Sequence, residues 1–372
     1  MSERRFAVIA GGGTAGHVHL ALAVAEALAD RGHPKTEITL VGSRRGQESV
    51  LLADKGFPFQ LLPGRGIARR LAPRATARNA AALAGLGWAT LRSAVGLARR
   101  RPRVVVSVGG YASLPAGLAA LALRVPLVNV THDAVPGATG RLLGRFASAN
   151  AVAFTGTPLP RTVLTGVPVR SDIHPLSRSA EEVAAARSAL GLPLDRSLVA
   201  IFGGSLGAGR LNDAGRSLAE HWAQRDVSVL LVAGRRNFDA LGAPEASSGR
   251  LAFSVVPFVE DMASLYGAAD VVVCRAGALS VAELALAGVP AVLVPLPGAP
   301  DDHQTLNARG LADAGAAILL PDAECTGERL AEILSPLLAD QPRLTQMAAA
   351  ARGLGHPNAA ARVAELVEIN AA

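Results

Sequence analysis

The stretch RFAVIAGGGTAGHVHLALAVAEAL, residues Arg5–Leu28, decides how the fold is read. The apolar run Phe6–Ala10 reads as a strand, three glycines follow as a turn, and small and aliphatic residues then continue at helical density. Gly11, Gly13 and Gly16 fit G-x-G-x-x-G, the pattern of a dinucleotide-binding strand–turn–helix. The same glycines also serve a tight turn that binds nothing. A nicotinamide site wants an acid near the end of the second strand to hold a ribose. Here that strand runs into ITLVGSRRGQES, and Arg44 and Arg45 stand in the acid's place. An NADP enzyme stays open, since arginine can take the extra phosphate. His17, at the mouth of the helix, points to other chemistry. An imidazole accepts a proton near neutral pH with little tuning, which a transfer reaction can use and a dinucleotide site does not need. Alone, His17 is equally a helix-start residue bonded to the backbone.

Working outward, the same unit recurs. Strand-like runs include Phe6–Ala10, Ile38–Val41, Val104–Val108, Leu127–Val130 and Ala151–Phe154. A second series includes Leu198–Phe202, Val227–Val232, Ala252–Val256, Val271–Cys274 and Ala291–Val294. These runs are continuously apolar, as strands covered by helices on both faces must be. Strands alternating with helical stretches predict doubly wound parallel α/β sheets. SLVAIFGGSLGAGRLND repeats the opening strand, glycine turn and helix start, and the proline-rich segment Pro158–Ser179 reads as a connector. The chain's 372 residues exceed one ordinary core, and with half of them hydrophobic two cores can be filled. Two doubly wound domains predict a ligand cleft at the carboxyl ends of their strands.

Charge is unevenly placed. From Lys55 to His132 there are twelve Lys or Arg residues and no Asp or Glu, within a net charge of +7. Arginines at 65, 69, 70, 74 and 78 lead into Leu83, Leu86, Trp88, Leu91, Val95 and Leu97, and Arg99, Arg100, Arg101 and Arg103 follow. A basic stretch around an apolar segment suits an anionic surface, and equally a solvated face over a buried helix. With one aromatic ring among the arginines and no reader motif, nucleic acid is not expected. Cys274 and Cys325 show no metal-ligand spacing and no disulfide framework, so a reducing, cytosolic setting is expected. No signal peptide is read at the start, and no apolar run reaches the ~18 residues of a membrane span.

The second half carries three further motifs. FGGSLGAG, Phe202–Gly209, offers backbone N–H groups, the Ser205 hydroxyl and a helix start, a set suited to a diphosphate. In CRAGALSVAEL, Cys274–Leu284, Glu283 is expected in about the first turn of a helix, either as a dipole-favoured surface acid or as an acceptor for two ribose hydroxyls. PLPGAPDDHQTLNA, Pro295–Ala308, gathers Asp301, Asp302, His303, Gln304 and Asn307 at a strand's carboxyl end, where amides and carboxylates suit a polyhydroxylated ligand. Each is singly also a turn, a polar loop or a capped helix. All three fall at strand ends of one domain.

With these motifs in order, the chain resembles the MurG family, peripheral-membrane glycosyltransferases of peptidoglycan synthesis. GGGTAGH resembles that family's GGGTGGH loop, VGGYASLPAGLAA its GGY-x-S-x-P segment, AVPGATGRLLGRFA its AVPG-x-TNRLLARFA segment, TGVPVR its TGNPVR, and GGSLGAGRLN its GGSQGA-x-x-LN. CRAGALSVAEL and DDHQTLNA are very close to their counterparts. The resemblance covers nearly the whole chain. It implies a GT-B fold of two Rossmann-like domains with an interdomain cleft. Residues 1–160 would form the acceptor and membrane-associated domain, residues 161–356 the UDP-sugar domain, and a C-terminal helix, 357–372, would pack back onto the first. It implies transfer of N-acetylglucosamine from UDP-N-acetylglucosamine to undecaprenyl-linked lipid I, giving lipid II, at the cytoplasmic face of the membrane. By the resemblance, Thr14, Ala15, Gly16 and His17 face the acceptor diphosphate and reacting hydroxyl, with Thr14 also near the donor. Arg170, Ser205, Phe258, Val259, Ala278, Leu279, Glu283, Gln304 and Asn307 would hold UDP-N-acetylglucosamine, and the Arg-rich segment 65–103 would lie on the anionic inner leaflet.

The chain departs from the family at four places. Ala15 replaces a glycine, Leu206 a glutamine and Val167 an asparagine. The largest departure is NVTHDAVPG, where the family reads HEQNAVPG, so that Asp133 stands for an asparagine that helps hold the donor sugar. The expected mechanism is an inverting single displacement without metal or other cofactor, with His17 the first candidate base and Asp133 the second. Three rivals remain at this point: a GT-B transferase with another lipid or secondary-metabolite acceptor, the NADP oxidoreductase, and a nucleotide-sugar-binding protein without turnover.

Overall fold

The computed structural model describes residues 5–13, 15–44, 52, 54–62, 73–204, 207–241 and 250–371, with residues 73–83, 240 and 241 described by their backbone only. The chain divides into two compact units, Met1–Ser171 with Asn358–Ala372, and Asp172–Pro357.

The first unit is built on a seven-stranded sheet. Its strands are β1 (Ala7–Gly12), β2 (Ile38–Ser43), β3 (Phe59–Leu62), β4 (Val104–Gly110), β5 (Leu127–Thr131), β6 (Ala149–Val152) and β7 (Thr162–Leu164), in the order β3-β2-β1-β4-β5-β6-β7. The recorded pairings are parallel, and Ala7 lies level with both Ile38 and Val104. The chain runs outward from β1 to β3, then returns to lay β4 on the other side of β1. That reversal is the switch point where open α/β sheets take ligands. Helices α1 (Ala15–Asp30), α2 (Pro73–Arg100), α3 (Ser113–Ala122) and α4 (Ala138–Gly144) join the strands. Val8, Ala10, Val105 and Leu127 pack beneath Leu97, Ala116, Ala119 and Leu143, a buried apolar layer between sheet and helices.

The second unit repeats the plan. Strands β8 (Ser197–Phe202), β9 (Val227–Val232), β10 (Ala252–Val256), β11 (Val271–Cys274), β12 (Ala291–Leu293) and β13 (Ala317–Leu319) take the order β10-β9-β8-β11-β12-β13, with a switch point between β8 and β11. The helices are α5 (Ala180–Ala189), α6 (Gly209–His221), α7 (Arg235–Leu241), α8 (Met262–Ala268), α9 (Ala278–Ala287), α10 (His303–Asp313), α11 (Gly327–Ala339) and α12 (Gln341–Gly353). The last helix, α13 (Ala359–Ile369), belongs to the first unit and packs on α1. Ala359, Val363, Ala364 and Val367 form its buried face. Glu368 fastens it: Arg31 donates to its carboxylate at 2.6 and 2.9 Å, and His33 Nε2 lies 2.9 Å from the other oxygen.

Two local readings change. The strand expected at Ala151–Phe154 is Ala149–Val152, because Asn150 is part of it. Its amide accepts from Asn129 Nδ2 of β5 at 2.8 Å and donates to the carbonyls of Gly144 and Pro160, so a polar residue inside the sheet is satisfied. The segment expected as a connector from Pro158 begins with sheet instead. Thr162–Leu164 pairs with β6, which carries the first unit to Ser171.

Candidate active site

At the carboxyl ends of β1, β4 and β5, absent side chains make room for functional ones. A Cβ on Gly11 would lie 2.1 Å from Val108, and one on Gly110, at φ +80°, would lie 2.0 Å from the carbonyl oxygen of Gly12. Gly110 is glycine because the two loops touch backbone to backbone there, and Gly11 because the Val108 side chain fills the space a Cβ would need. Gly109, at φ +93°, carries the imidazole of His17 against it, with Nε2 and Cδ2 each 3.0 Å from an added Cβ. The Ser113 hydroxyl bridges the loops, 2.5 Å from the carbonyl of Ala10 and 2.7 Å from that of Gly109.

Into this space come His17 from the first turn of α1, and His132 and Asp133 from just beyond β5. The two imidazoles meet edge to face, 5.1 Å between ring centres and 84° between planes. His132 Nε2 is 3.5 Å from Asp133 Oδ2, and both of these side chains are mostly buried. The pKa of His17 is lowered to about 3, first by burial and then by His132, with Asp133 pulling the other way. At neutral pH His17 is therefore an uncharged imidazole, able to accept a proton. A reaction that pushes a proton onto it gains from any nearby anion.

The corresponding strand ends of the second unit are organised by hydrogen bonds. Glu283 is the sixth residue of α9 and only 5% exposed, so it is neither a first-turn residue nor a surface acid. The fully buried Tyr266 donates its hydroxyl to Glu283 Oε2 at 2.8 Å. Arg178 holds the corner that carries Tyr266, donating to the carbonyls of Tyr266 and Ala269 at 3.1 and 2.7 Å. Gln304 accepts from the N–H of Leu296 at 2.9 Å, which fixes its amide against the loop after β12. Asn307 is fully buried and donates to the carbonyl of Ala276 at 3.3 Å, in the turn between β11 and α9. It shapes the backbone around Ala278 and Leu279 and reaches no solvent itself. Arg275 braces the same region, donating to the carbonyls of Val294 and Pro295 and pairing with Asp322 at 2.6 Å.

Comparison with known proteins places these two sites in one context. Residues 7–152 match the glycosyltransferase family 28 N-terminal domain, and residues 198–363 the glycosyltransferase family 28 C-terminal domain. A UDP-N-acetylglucosamine–N-acetylmuramyl-(pentapeptide) pyrophosphoryl-undecaprenol N-acetylglucosamine transferase of Alkalilimnicola ehrlichii is 43% identical over 96% of this chain and 97% of its own. The protein of the same name from Desulforudis audaxviator is 38% identical over 97% of each chain. Among solved structures, Acinetobacter baumannii MurG superposes with a TM-score of 0.75 at 32% identity, covering 98% of this chain and 99% of that one. The chain belongs to the MurG family. It is a glycosyltransferase of the GT-B type.

Against the site expected of a MurG-family chain, the structure brings His17 and Asp133 into one cluster and adds His132 between them. Ala15 and Gly16 open α1, both half-buried. Thr14 and Ser205, together with Leu206, lie outside the described residues. Around them, a Cβ on Gly207 at φ +74° would lie 2.3 Å from the carbonyl of Ala233, so this turn too is closed by backbone contact. Phe258 and Val259 follow β10 in a loop, where the Arg235 guanidinium lies 4.8 Å over the Phe258 ring. Arg170 is half-buried near the end of the first unit. Among the described residues no group of three or more His, Cys, Asp or Glu is placed to hold a metal ion. Tyr266 was absent from the sequence expectation. Its only signal was an aromatic hydroxyl in an apolar helix, which when buried needs a partner.

The basic, apolar segment is resolved from Pro73 as α2, while residues 65, 69 and 70 lie outside the described part. Ala89, Ser93 and Leu97 face inward, at helical spacing. A second apolar row, Trp88 (59% exposed), Leu91 and Val95, faces out, next to Phe59 of β3. With Arg92 and Arg99 these residues line an open groove. No helix among the described residues is long and apolar enough to cross a membrane.

Proposed function

We propose that this chain transfers N-acetylglucosamine from UDP-N-acetylglucosamine to the C4 hydroxyl of the muramyl sugar of lipid I, forming lipid II. The observation that carries the reading is near-full-length similarity to transferases named for that reaction, together with a neutral imidazole at the glycine loop where that family meets its acceptor. The hydroxyl oxygen attacks the anomeric carbon. The bond from that carbon to the diphosphate breaks, and its electron pair leaves on UDP. The hydroxyl proton passes to His17, with Asp133 the alternative acceptor. Thr14, Ala15 and Gly16 face the acceptor diphosphate. Arg170, Ser205, Glu283 and Gln304, with the backbone at Phe258, Val259, Ala278 and Leu279, hold the donor, and Asn307 supports that backbone. N–H groups at the start of α6 stabilise the charge gathering on UDP.

The enzyme works as a peripheral protein at the cytoplasmic face, where lipid I is anchored. The outward row of α2 supports this: exposed apolar side chains among arginines favour an anionic lipid surface. A second reading keeps the fold and changes the sugar or acceptor. It is favoured by one observation, the carboxylate of Asp133 in place of the family's amide. The deciding experiment is turnover of UDP-N-acetylglucosamine with a short-chain lipid I analogue, following UDP and the disaccharide product by mass, with other UDP-sugars in parallel. Disaccharide formation supports the first reading. UDP binding without it, or preference for another sugar, supports the second.

A further inference from the structure

Three titratable side chains meet beyond β5, and the transfer described above uses only two of them. His132 lies between the others. One side of it faces an anion, Asp133 Oδ2 at 3.5 Å from Nε2, and its ring stands edge-on to the imidazole of His17 at 5.1 Å. Gly109 is the shared floor: a Cβ there would be 3.0 Å from His17 Nε2 and 3.7 Å from His132 Cε1. Side-chain exposures of 20% and 23% for His132 and Asp133 keep most water away, so their charges are weakly screened.

The consequence follows from elementary electrostatics. A carboxylate beside an imidazole favours its charged form, and one imidazolium disfavours a second beside it. Two rings this close titrate as a pair. Burial already opposes a charge on His17, His132 adds to that, and Asp133 offsets part of it. The end of β4 brings glycines to this point, with Tyr111 the next titratable side chain along that turn, and α1 brings His17 with His19 two residues on.

We propose that His132 is a positioning residue for the transfer: backed by Asp133, it takes the first proton offered to the cluster and so keeps His17 neutral and ready for the proton of the attacking hydroxyl. The catalytic half of this statement rests on His17 being the base. In this scheme His132 passes no proton to or from the substrate. It is also the residue before Asp133, within the segment where this chain departs from its family.

Two measurements test it. The first needs neither substrate nor variant: nitrogen-15 imidazole signals of the free protein, assigned through the backbone, followed against pH. His132 takes up its proton first as pH falls, and His17 stays neutral to a lower pH. His17 titrating ahead of His132 overturns the proposal. The second is the pH profile of kcat for His132→Gln. Removing the competing charge raises the acidic limb by about one pH unit, while kcat at the alkaline plateau stays close to wild type. A limb that does not move, with kcat merely lower, reduces His132 to packing and overturns the proposal. If lipid I is not the acceptor, the imidazole titration still stands or falls alone.

Discussion

The two strand–glycine–helix turns share one construction and hold their functional groups differently. In both, a glycine is required because backbone meets backbone, Gly110 against Gly12 in the first unit and Gly207 against Ala233 in the second. In the first unit the groups beyond the turns are two imidazoles and a carboxylate, held against each other, with one imidazole pressed toward its neutral form. In the second, Glu283, Gln304 and Asn307 each already have a hydrogen-bond partner that fixes their direction. The first arrangement is suited to moving a proton and the second to recognising a fixed shape. The division of labour argues that chemistry and donor recognition are separable by mutation.

The largest effect that can break this division is at His17. His17→Ala lowers kcat about 10²–10⁴-fold, the ordinary worth of a general base, while the Kd for UDP stays unchanged. Steady-state kinetics and calorimetry with UDP check the two halves. Loss of UDP affinity in step with kcat would sink the separation. The complementary change is Glu283→Gln. Losing a charge-assisted bond of about 1.5–3 kcal/mol raises the donor KM about 10- to 100-fold. Acceptor KM and kcat change little. A kcat loss at constant donor KM would move Glu283 out of recognition.

How much of this was legible in the sequence depends on what each feature needs. The interior strands were legible because burial on both faces leaves continuous apolar runs such as Val104–Val108 and Val271–Cys274. Edge strands were not. Phe59–Leu62 is partly exposed and Thr162–Leu164 exposed along its length, and each is too short for its few apolar residues to stand out as a run. His17 was legible from its place after a glycine turn, and Asp133 from its departure inside an otherwise matching motif. Tyr266 was not, since its bond to Glu283 spans 17 residues and exists only when α8 and α9 are folded side by side. Nor was the role of Gly109, which reads as a turn residue and acts as the floor under two imidazoles.

Tyr266→Phe probes the recognition cluster with a smaller change. It removes one hydroxyl and leaves Glu283 Oε2 buried without that donor, at a cost of about 1–3 kcal/mol. Urea unfolding of the second unit's transition reads the loss. Donor KM rises by less than in Glu283→Gln, because the carboxylate remains and only its orientation loosens. Unchanged stability together with unchanged KM would mean that Glu283 is positioned by other contacts.

The effect specific to the first cluster is on stability against pH. In the unfolded chain His17 titrates near 6.5, and in the fold at about 3. Above pH 6.5 both states are neutral there, so His17 adds no slope. As pH falls from 6.5 toward 3 the unfolded chain takes up a proton that the native protein refuses, and stability falls. Below about 3 both states carry the proton and the slope ends. His17→Gln lacks this term, so its melting temperature declines less than wild type across that window, and the two proteins run parallel above pH 7. All other titratable groups are common to both proteins. Parallel curves for His17→Gln and wild type from pH 7 to 4 would show that the fold does not resist charging this ring, and the contrast between the two clusters would rest on hydrogen bonding alone.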